Sequence, residues 1–211
     1  TGSARTLIDG VGGVVRVDAT ALAADEVLGA EGAADFTLSA VSGDVDVVAD
    51  GGFSGAESAL SGDLTVNLAD GASGVVVFTG TGVTVVDTGT DASGSVSVEA
   101  DRLGDNVSGD GVDNLTLTGA GSAVVGDVVA DTDAGDLDGT LRLTTADNSG
   151  DGDIGVILGS SSATLDGTAG DDTLSVTADG MRSAQTLSLT GSSDVVATGL
   201  VGNLDAAASG E

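Results

Sequence analysis

The chain repeats itself, and a long internal repeat constrains the fold before any single residue does. Leu60–Asp70 (LSGDLTVNLAD) returns as Leu137–Asp147 (LDGTLRLTTAD). Val96–Asp101 (VSVEAD) returns as Leu174–Asp179 (LSVTAD). Phe36-Thr-Leu38 returns as Leu115-Thr-Leu117 and again as Leu187-Ser-Leu189. Units that cannot bury an apolar face alone do so by stacking on their neighbours, so a chain of this kind is expected to form an array around one continuous core. A super-repeat of about 78 residues divides residues 1–211 into approximate copies at 36–114 and 115–186, with partial copies at both ends. The pattern breaks off inside a copy, which suggests a single repetitive segment cut from a longer protein.

Within the array, short apolar-alternating segments recur. They are Val14–Val17, Phe36–Leu38, Val45–Val48, Leu64–Leu68, Val75–Phe78, Val83–Val86, Val96–Val98, Leu115–Leu117, Val124–Val129, Leu141–Leu143, Ile154–Leu158, Thr164–Leu165, Leu174–Val176, Leu187–Leu189 and Val195–Val201. Clusters of Gly, Asp, Ser and Asn separate them, as expected for strands joined by turns. Ala19–Gly32 is the one stretch with enough Ala and Leu to predict one or two helical turns. Taking one strand per coil at Val17, Leu38, Leu64, Val85, Leu115, Leu141, Leu165 and Leu187 gives a mean spacing of about 24 residues, within the usual range of solenoid repeats. The expected fold is therefore all-β: a parallel β-helix, or β-solenoid, with three-faced coils of roughly 24 residues and about three coils per super-repeat. The alternative is a tandem array of Ig-like β-sandwich domains. Such domains generally carry Pro in their linkers and a buried Trp or Tyr, and this chain has none of the three. A solenoid needs no large aromatic, because stacked Val, Leu and Ala fill its narrow interior.

Charge narrows the function. The formal net charge is −29, and only Arg5, Arg16, Arg102, Arg142 and Arg182 are positive. Five scattered arginines cannot neutralise a phosphate backbone, so nucleic acid is excluded as a partner. The same charge opposes anionic membrane surfaces, and no apolar run is long enough for a membrane helix. Arg16 and Arg142 fall inside strands, where pairing with an acid on the neighbouring strand is the expected role. Without His, Cys, Lys or Tyr the chain lacks the usual bases and nucleophiles, and enzymatic activity is not expected. So much negative charge opposes compaction unless something offsets it. Of the 34 acids only five are Glu. Asp is short, suits turns and is a hard oxygen ligand, which favours divalent calcium over bulk salt as the compensating charge.

The most specific motif is Gly167-Thr-Ala-Gly170-Asp171-Asp172-Thr-Leu174-Ser175. It resembles the RTX nonapeptide, G-G-x-G-x-D-x-U-x with U a large apolar residue, with Thr168 in place of the second Gly. Gly109-Asp110-Gly111-Val-Asp113-Asn-Leu115 is a partial second copy, and Asp147-Asn-Ser-Gly-Asp151-Gly-Asp153 is the next most calcium-like loop. With its Gly-, Asp-, Thr- and Val-rich, Cys-free composition, the chain resembles bacterial surface-layer proteins and large RTX-type calcium-binding adhesins. The resemblance implies Ca2+ as the cofactor. It implies Asp172 and Asp113 as ligands, with Gly170 and Gly111 shaping the turns; the acidic clusters themselves add Asp171, Asp110, Asp151 and Asp153 as candidate metal-site residues. It further implies an extracellular, cell-surface location and self-association into a lattice or filament, with contact to glycan or other cell-surface groups as a further role. The expected function is that of a structural surface segment whose folding or assembly calcium promotes. A ligand-binding adhesin module and a salt-adapted archaeal surface protein without specific calcium sites are the alternatives.

Overall fold

The computed structural model describes residues 5–10, 14–18, 27–32, 35–39, 44–49, 53–55, 63–68, 70–72, 75–79, 82–101, 103, 115–146, 153–167 and 173–207. Every regular element among them is a strand. One ten-stranded sheet, sheet A, contains β1 (Arg5–Gly10), β3 (Val27–Gly32), β5 (Asp44–Ala49), β7 (Leu64–Leu68), β9 (Thr84–Asp87), β11 (Leu115–Thr118), β13 (Thr132–Ala134), β15 (Ile154–Leu158), β17 (Thr173–Thr177) and β19 (Asp194–Thr198). The other, sheet B, contains β2 (Val14–Asp18), β4 (Asp35–Ser39), β6 (Phe53–Gly55), β8 (Val75–Phe78), β10 (Ser95–Glu99), β12 (Ser122–Val128), β14 (Leu141–Thr145), β16 (Ala163–Gly167), β18 (Thr186–Gly191) and β20 (Asn203–Ala206). Each strand pairs in parallel with the strands two before and two after it, for example Leu64 with Val45 and with Thr84. Parallel pairing throughout excludes the antiparallel sandwich array. The chain is a β-solenoid in which each coil gives one strand to each sheet.

Alternation within strands places the core between the sheets. In β7, Leu64, Val66 and Leu68 are buried while Thr65 and Asn67 are not. Sheet B answers with Val75 and Val77, then Val96 and Val98, then Ala123 and Val125. The same columns continue through Leu141 and Leu143, Ala163 and Leu165, and Leu187 and Leu189. A β-bulge interrupts β12. The register slips between Val125 and Val128, with Asp127 at a left-handed φ of 54°, which Asp tolerates better than most residues.

The coil has two faces rather than three, and it is shorter than the anchor spacing suggested. Nine coils separate Arg5 of β1 from Asp194 of β19, so each coil advances the numbering by about 21 on average. The reason is that the anchors change sheets. Val17 and Leu38 lie in β2 and β4, Leu64, Val85 and Leu115 in β7, β9 and β11, and Leu141, Leu165 and Leu187 in β14, β16 and β18. Two of the seven intervals, β4 to β7 and β11 to β14, are each one and a half coils long. The super-repeat has a matching property. Its copies fall on β4, β11 and β18, on β7 and β14, and on β10 and β17, always seven strands apart. Seven strands make three and a half coils, so successive copies occupy opposite sheets.

The expected helix is not formed where it can be seen. Val27–Gly32 is β3, paired on one side to β1 and on the other to β5. Two ladders of parallel hydrogen bonds outweigh the weak local preference of Ala, Leu and Glu. Residues 19–26 lie outside the described residues.

Candidate functional site

A solenoid with two sheets has two turn edges, one where the chain passes from sheet A to sheet B and one where it returns. All three candidate acidic segments fall between a sheet B strand and the sheet A strand that follows it. Residues 104–114 precede β11, 147–152 precede β15 and 168–172 precede β17, the last two on consecutive coils. Asp110, Gly111, Asp113, Asp151, Gly170, Asp171 and Asp172 lie outside the described residues. Asp153 is described, exposed, and stands one residue before β15.

Asp153 has a defined partner. Its Oδ1 accepts a hydrogen bond from the Thr173 backbone N–H of the next coil at 3.4 Å. Two other aspartates that immediately precede sheet A strands behave alike. Asp63 Oδ1 accepts from Val83 N–H at 2.9 Å, and Asp131 Oδ1 accepts from Gly155 N–H at 2.6 Å. In each case the acceptor lies one coil below the donor, 20 to 24 residues away. The carboxylate thus carries the parallel ladder one rung past the strand end. Only a short side chain reaches an adjacent backbone in this way, which is a physical reason for the Asp bias beyond metal ligation.

The opposite edge uses the same device. Asp70 Oδ1 accepts from the Thr90 N–H at 2.7 Å and from the Thr90 hydroxyl at 2.8 Å, one coil on. These bonds to Thr90, backbone first and hydroxyl second, hold the Asp70 carboxyl below its ordinary value of 3.8. Asp138 accepts from the Ser160 hydroxyl at 2.6 Å. Asp87, Asp91 and Asp133 instead cap their own turns, accepting from the N–H groups of Gly89, Ser93 and Gly135.

Among the described residues no group of three or more His, Cys, Asp or Glu is placed to hold a metal ion. Calcium requires roughly six to eight oxygen ligands, and Asp153 by itself brings one carboxylate that already serves a backbone N–H. The arginine expectation is corrected. Arg142 stands between Val124 and Thr164 in the ladder, and Arg16 beside Thr37, so neither has an acid directly opposite. Sequence reasoning also missed the coil-to-coil aspartates, although their signal is present: Asp44, Asp63, Asp131 and Asp153 all stand at or just before the start of a sheet A strand. Compared with protein-family models, curated proteins and solved structures, the chain matches none.

Proposed function

We propose that the chain is a structural segment of a secreted cell-surface protein, of the surface-layer or large-adhesin kind, whose folding or assembly calcium promotes. The observation that supports this reading is the continuous stack itself, with two parallel sheets running through every described strand and aspartates recurring at both turn edges. Neighbouring coils are about 4.8 Å apart, so aspartates on successive coils repel one another across the stacking direction. A divalent cation at the return turns would remove that repulsion, and coil stacking and cation binding would then be linked. Before binding, the −29 charge would favour an extended, export-ready chain.

A second reading, that of a salt-adapted surface protein without specific calcium sites, is favoured by the backbone hydrogen bonds to Asp63, Asp131 and Asp153. These bonds occupy the side chains with backbone N–H groups and involve no metal. Circular dichroism in low salt with chelator separates the two. Calcium promotion predicts a β-sheet signal that grows on adding millimolar calcium and is not reproduced by magnesium or by equal ionic strength of sodium chloride. Folding that ignores calcium and requires molar sodium chloride would overturn the calcium reading and support the second. A fully folded chain in chelator and low salt would overturn both.

A further inference from the structure

The outer face of sheet B carries little net charge in a chain whose total is −29. Alternation turns two columns of residues outward along β8, β10, β12, β14 and β16. The first column runs Val76, Ser97, Val124, Arg142 and Thr164. The second runs Phe78, Glu99 and Gly126, then Thr144 and Asp166. In β18 the columns reach Ser188 and Thr190. At the β12 bulge, Gly126 and Asp127 together stand against the single Thr144 of β14, and Asp127 is exposed. None of these residues is buried, and Val124 is 49% exposed. Arg142 thus shares its face with Glu99, Asp127 and Asp166. Among the described residues, the outward positions of β9 and β13 in sheet A carry Asp87 and Asp133 and no arginine.

The two columns complement each other under a two-fold rotation. Two copies packed face to face about an axis along the stacking direction set each coil on the same coil of the partner, so symmetry fixes the register along the stack. Only the sideways position is free. An axis over the first column sets Arg142 on Arg142. An axis over the second sets Glu99 on Glu99 and Asp166 on Asp166. An axis midway sets each column on the other. Val76 then meets Phe78, apolar on apolar, and Val124 meets the bulge at Gly126. Ser97 meets Glu99 and Thr164 meets Asp166, hydroxyl on carboxylate. Arg142 meets the partner's Thr144 and lies between the partner's Asp127 and the partner's Asp166, one coil to either side. In its own ladder Arg142 has only Val124 and Thr164 beside it.

We propose that the outer face of sheet B is the docking surface for the same face of a second copy of this chain, in an isologous dimer with the midway axis. The arginine of each copy enters a pair of acids on the other, and the like-charge contacts of the other two axes select this one. The aspartates of the turn edges, Asp63, Asp70, Asp91, Asp131 and Asp153 among them, fall at the rim, where water and salt screen them. At about 4.8 Å per strand and about 3.3 Å per residue, six strands of about five residues present roughly 470 Å² per copy. The pair buries about 950 Å² in all, close to the lower limit of about 1,000 Å² for a specific contact, so the dimer is weak and concentration-dependent. This inference deepens the structural reading above and rests on it, but not on its calcium part.

The test is sedimentation velocity on the whole chain, as a concentration series in calcium and again in chelator, with circular dichroism alongside to report the fold separately. Wherever the chain is folded, its weight should rise with concentration toward that of a dimer. Arg142→Glu and Asp166→Arg face outward and should each remain folded, yet weaken association by about tenfold or more, since each sets like charges together at two symmetric places. Mixed in equal amounts, the two variants should associate again. In the mixed dimer the two substituted positions face each other with opposite charge, and the two native ones pair as before. Ile157→Asp, on the outer face of sheet A where Ile157 is 38% exposed, should leave association unchanged. Folded wild-type chain that stays monomeric throughout would overturn the proposal. So would charge variants that associate like the wild type, a mixture as dissociated as its components, or an Ile157→Asp variant that loses association as they do. Loss of folded signal in chelator would bear on the calcium reading alone.

Discussion

Thr84 and Thr88 offer the same substitution with opposite expected signs. Both side chains are buried completely, and both lie in or just after β9. Thr84 occupies a core column between Leu64 and Leu115, and its hydroxyl has no hydrogen-bond partner. Thr88 instead donates its hydroxyl to the Thr118 carbonyl and accepts from the buried Gly121 N–H, each at 2.9 Å. An unmet buried hydroxyl costs roughly 1–3 kcal/mol, and the methyl that replaces it in valine adds apolar burial. Thr84→Val should therefore stabilise the fold by about 1–2 kcal/mol. Thr88→Val leaves the Gly121 N–H without an acceptor and should destabilise by about 1–3 kcal/mol; the Thr118 carbonyl keeps its bond from the Thr88 N–H. For a chain of this length each kcal/mol moves the melting temperature by roughly 2–4 °C, so the two variants should melt on opposite sides of the wild type. Urea unfolding followed by circular dichroism, with the m-value as a check on cooperativity, measures both. Shifts of the same sign would refute the reasoning, because hydrogen bonding is then not what distinguishes two equally buried threonines.

Two further perturbations test the turns. Gly191 has φ of +97°, and a Cβ there would overlap the Gly167 carbonyl one coil below, whereas Gly71, at +74°, would place its Cβ 3.4 Å from the Ser93 hydroxyl. Gly191→Ala should cost at least about 2 kcal/mol and Gly71→Ala only about 1 kcal/mol, read as the difference in urea midpoint. Asp70, with its carboxyl held below 3.8, should stabilise the folded chain at any pH above that value, and lose this contribution as pH falls through its lower folded value. The stability difference between wild type and Asp70→Asn, measured across acid pH, should shrink toward its low-pH limit in that window; a difference that is flat with pH would contradict the role given to Thr90.

Every apolar-alternating segment read from the sequence lies on or overlaps a strand, because alternation of Val and Leu is the physical requirement for facing a core on one side. Five strands were not legible. Thr132-Asp-Ala134 is too polar to announce itself, yet Thr132 and Ala134 are buried because the columns above and below demand inward residues there. Phe53–Gly55 and Asn203–Ala206 are short, Arg5–Gly10 begins with a charge, and Val27–Gly32 carries helix-favouring composition. Of these, Phe53–Gly55 and Thr132–Ala134 fall in the two intervals of one and a half coils, and their omission is what lengthened the inferred coil. The aspartate bonds between coils were hidden for a related reason. Their spacing is set by register and not by count, 20 residues at Asp63 and Asp153 but 24 at Asp131, because turn lengths vary while rungs do not. As for the candidate ligands, all but Asp153 lie outside the described residues, and the order of strands adds only that each candidate segment comes between a sheet B strand and the next sheet A strand.

The seven-strand repeat bears on how so acidic a chain can stack at all. An even number of strands would return each acidic turn to the same edge, and duplication would pile like charges into a continuous ridge. An odd number sends each copy to the other edge. Asp101 follows β10, where the chain leaves sheet B, and its counterpart Asp179 follows β17, where the chain leaves sheet A. Duplication in half-coil steps thus spreads charge over two edges separated by the core, beyond the reach of the strongest repulsion. It also requires both sheets to accept the same apolar pattern, which they do: Leu64, Val66 and Leu68 of sheet A and Leu141, Leu143 and Thr145 of sheet B fill equivalent inward positions. A turn generated in one copy is then displaced to the far edge in the next, so it cannot stack into a regular ladder by duplication alone. The nonapeptide-like segments before β11 and β17 are six strands apart, each between a sheet B strand and the next sheet A strand, so the seven-strand repeat does not relate them and their likeness arose outside it.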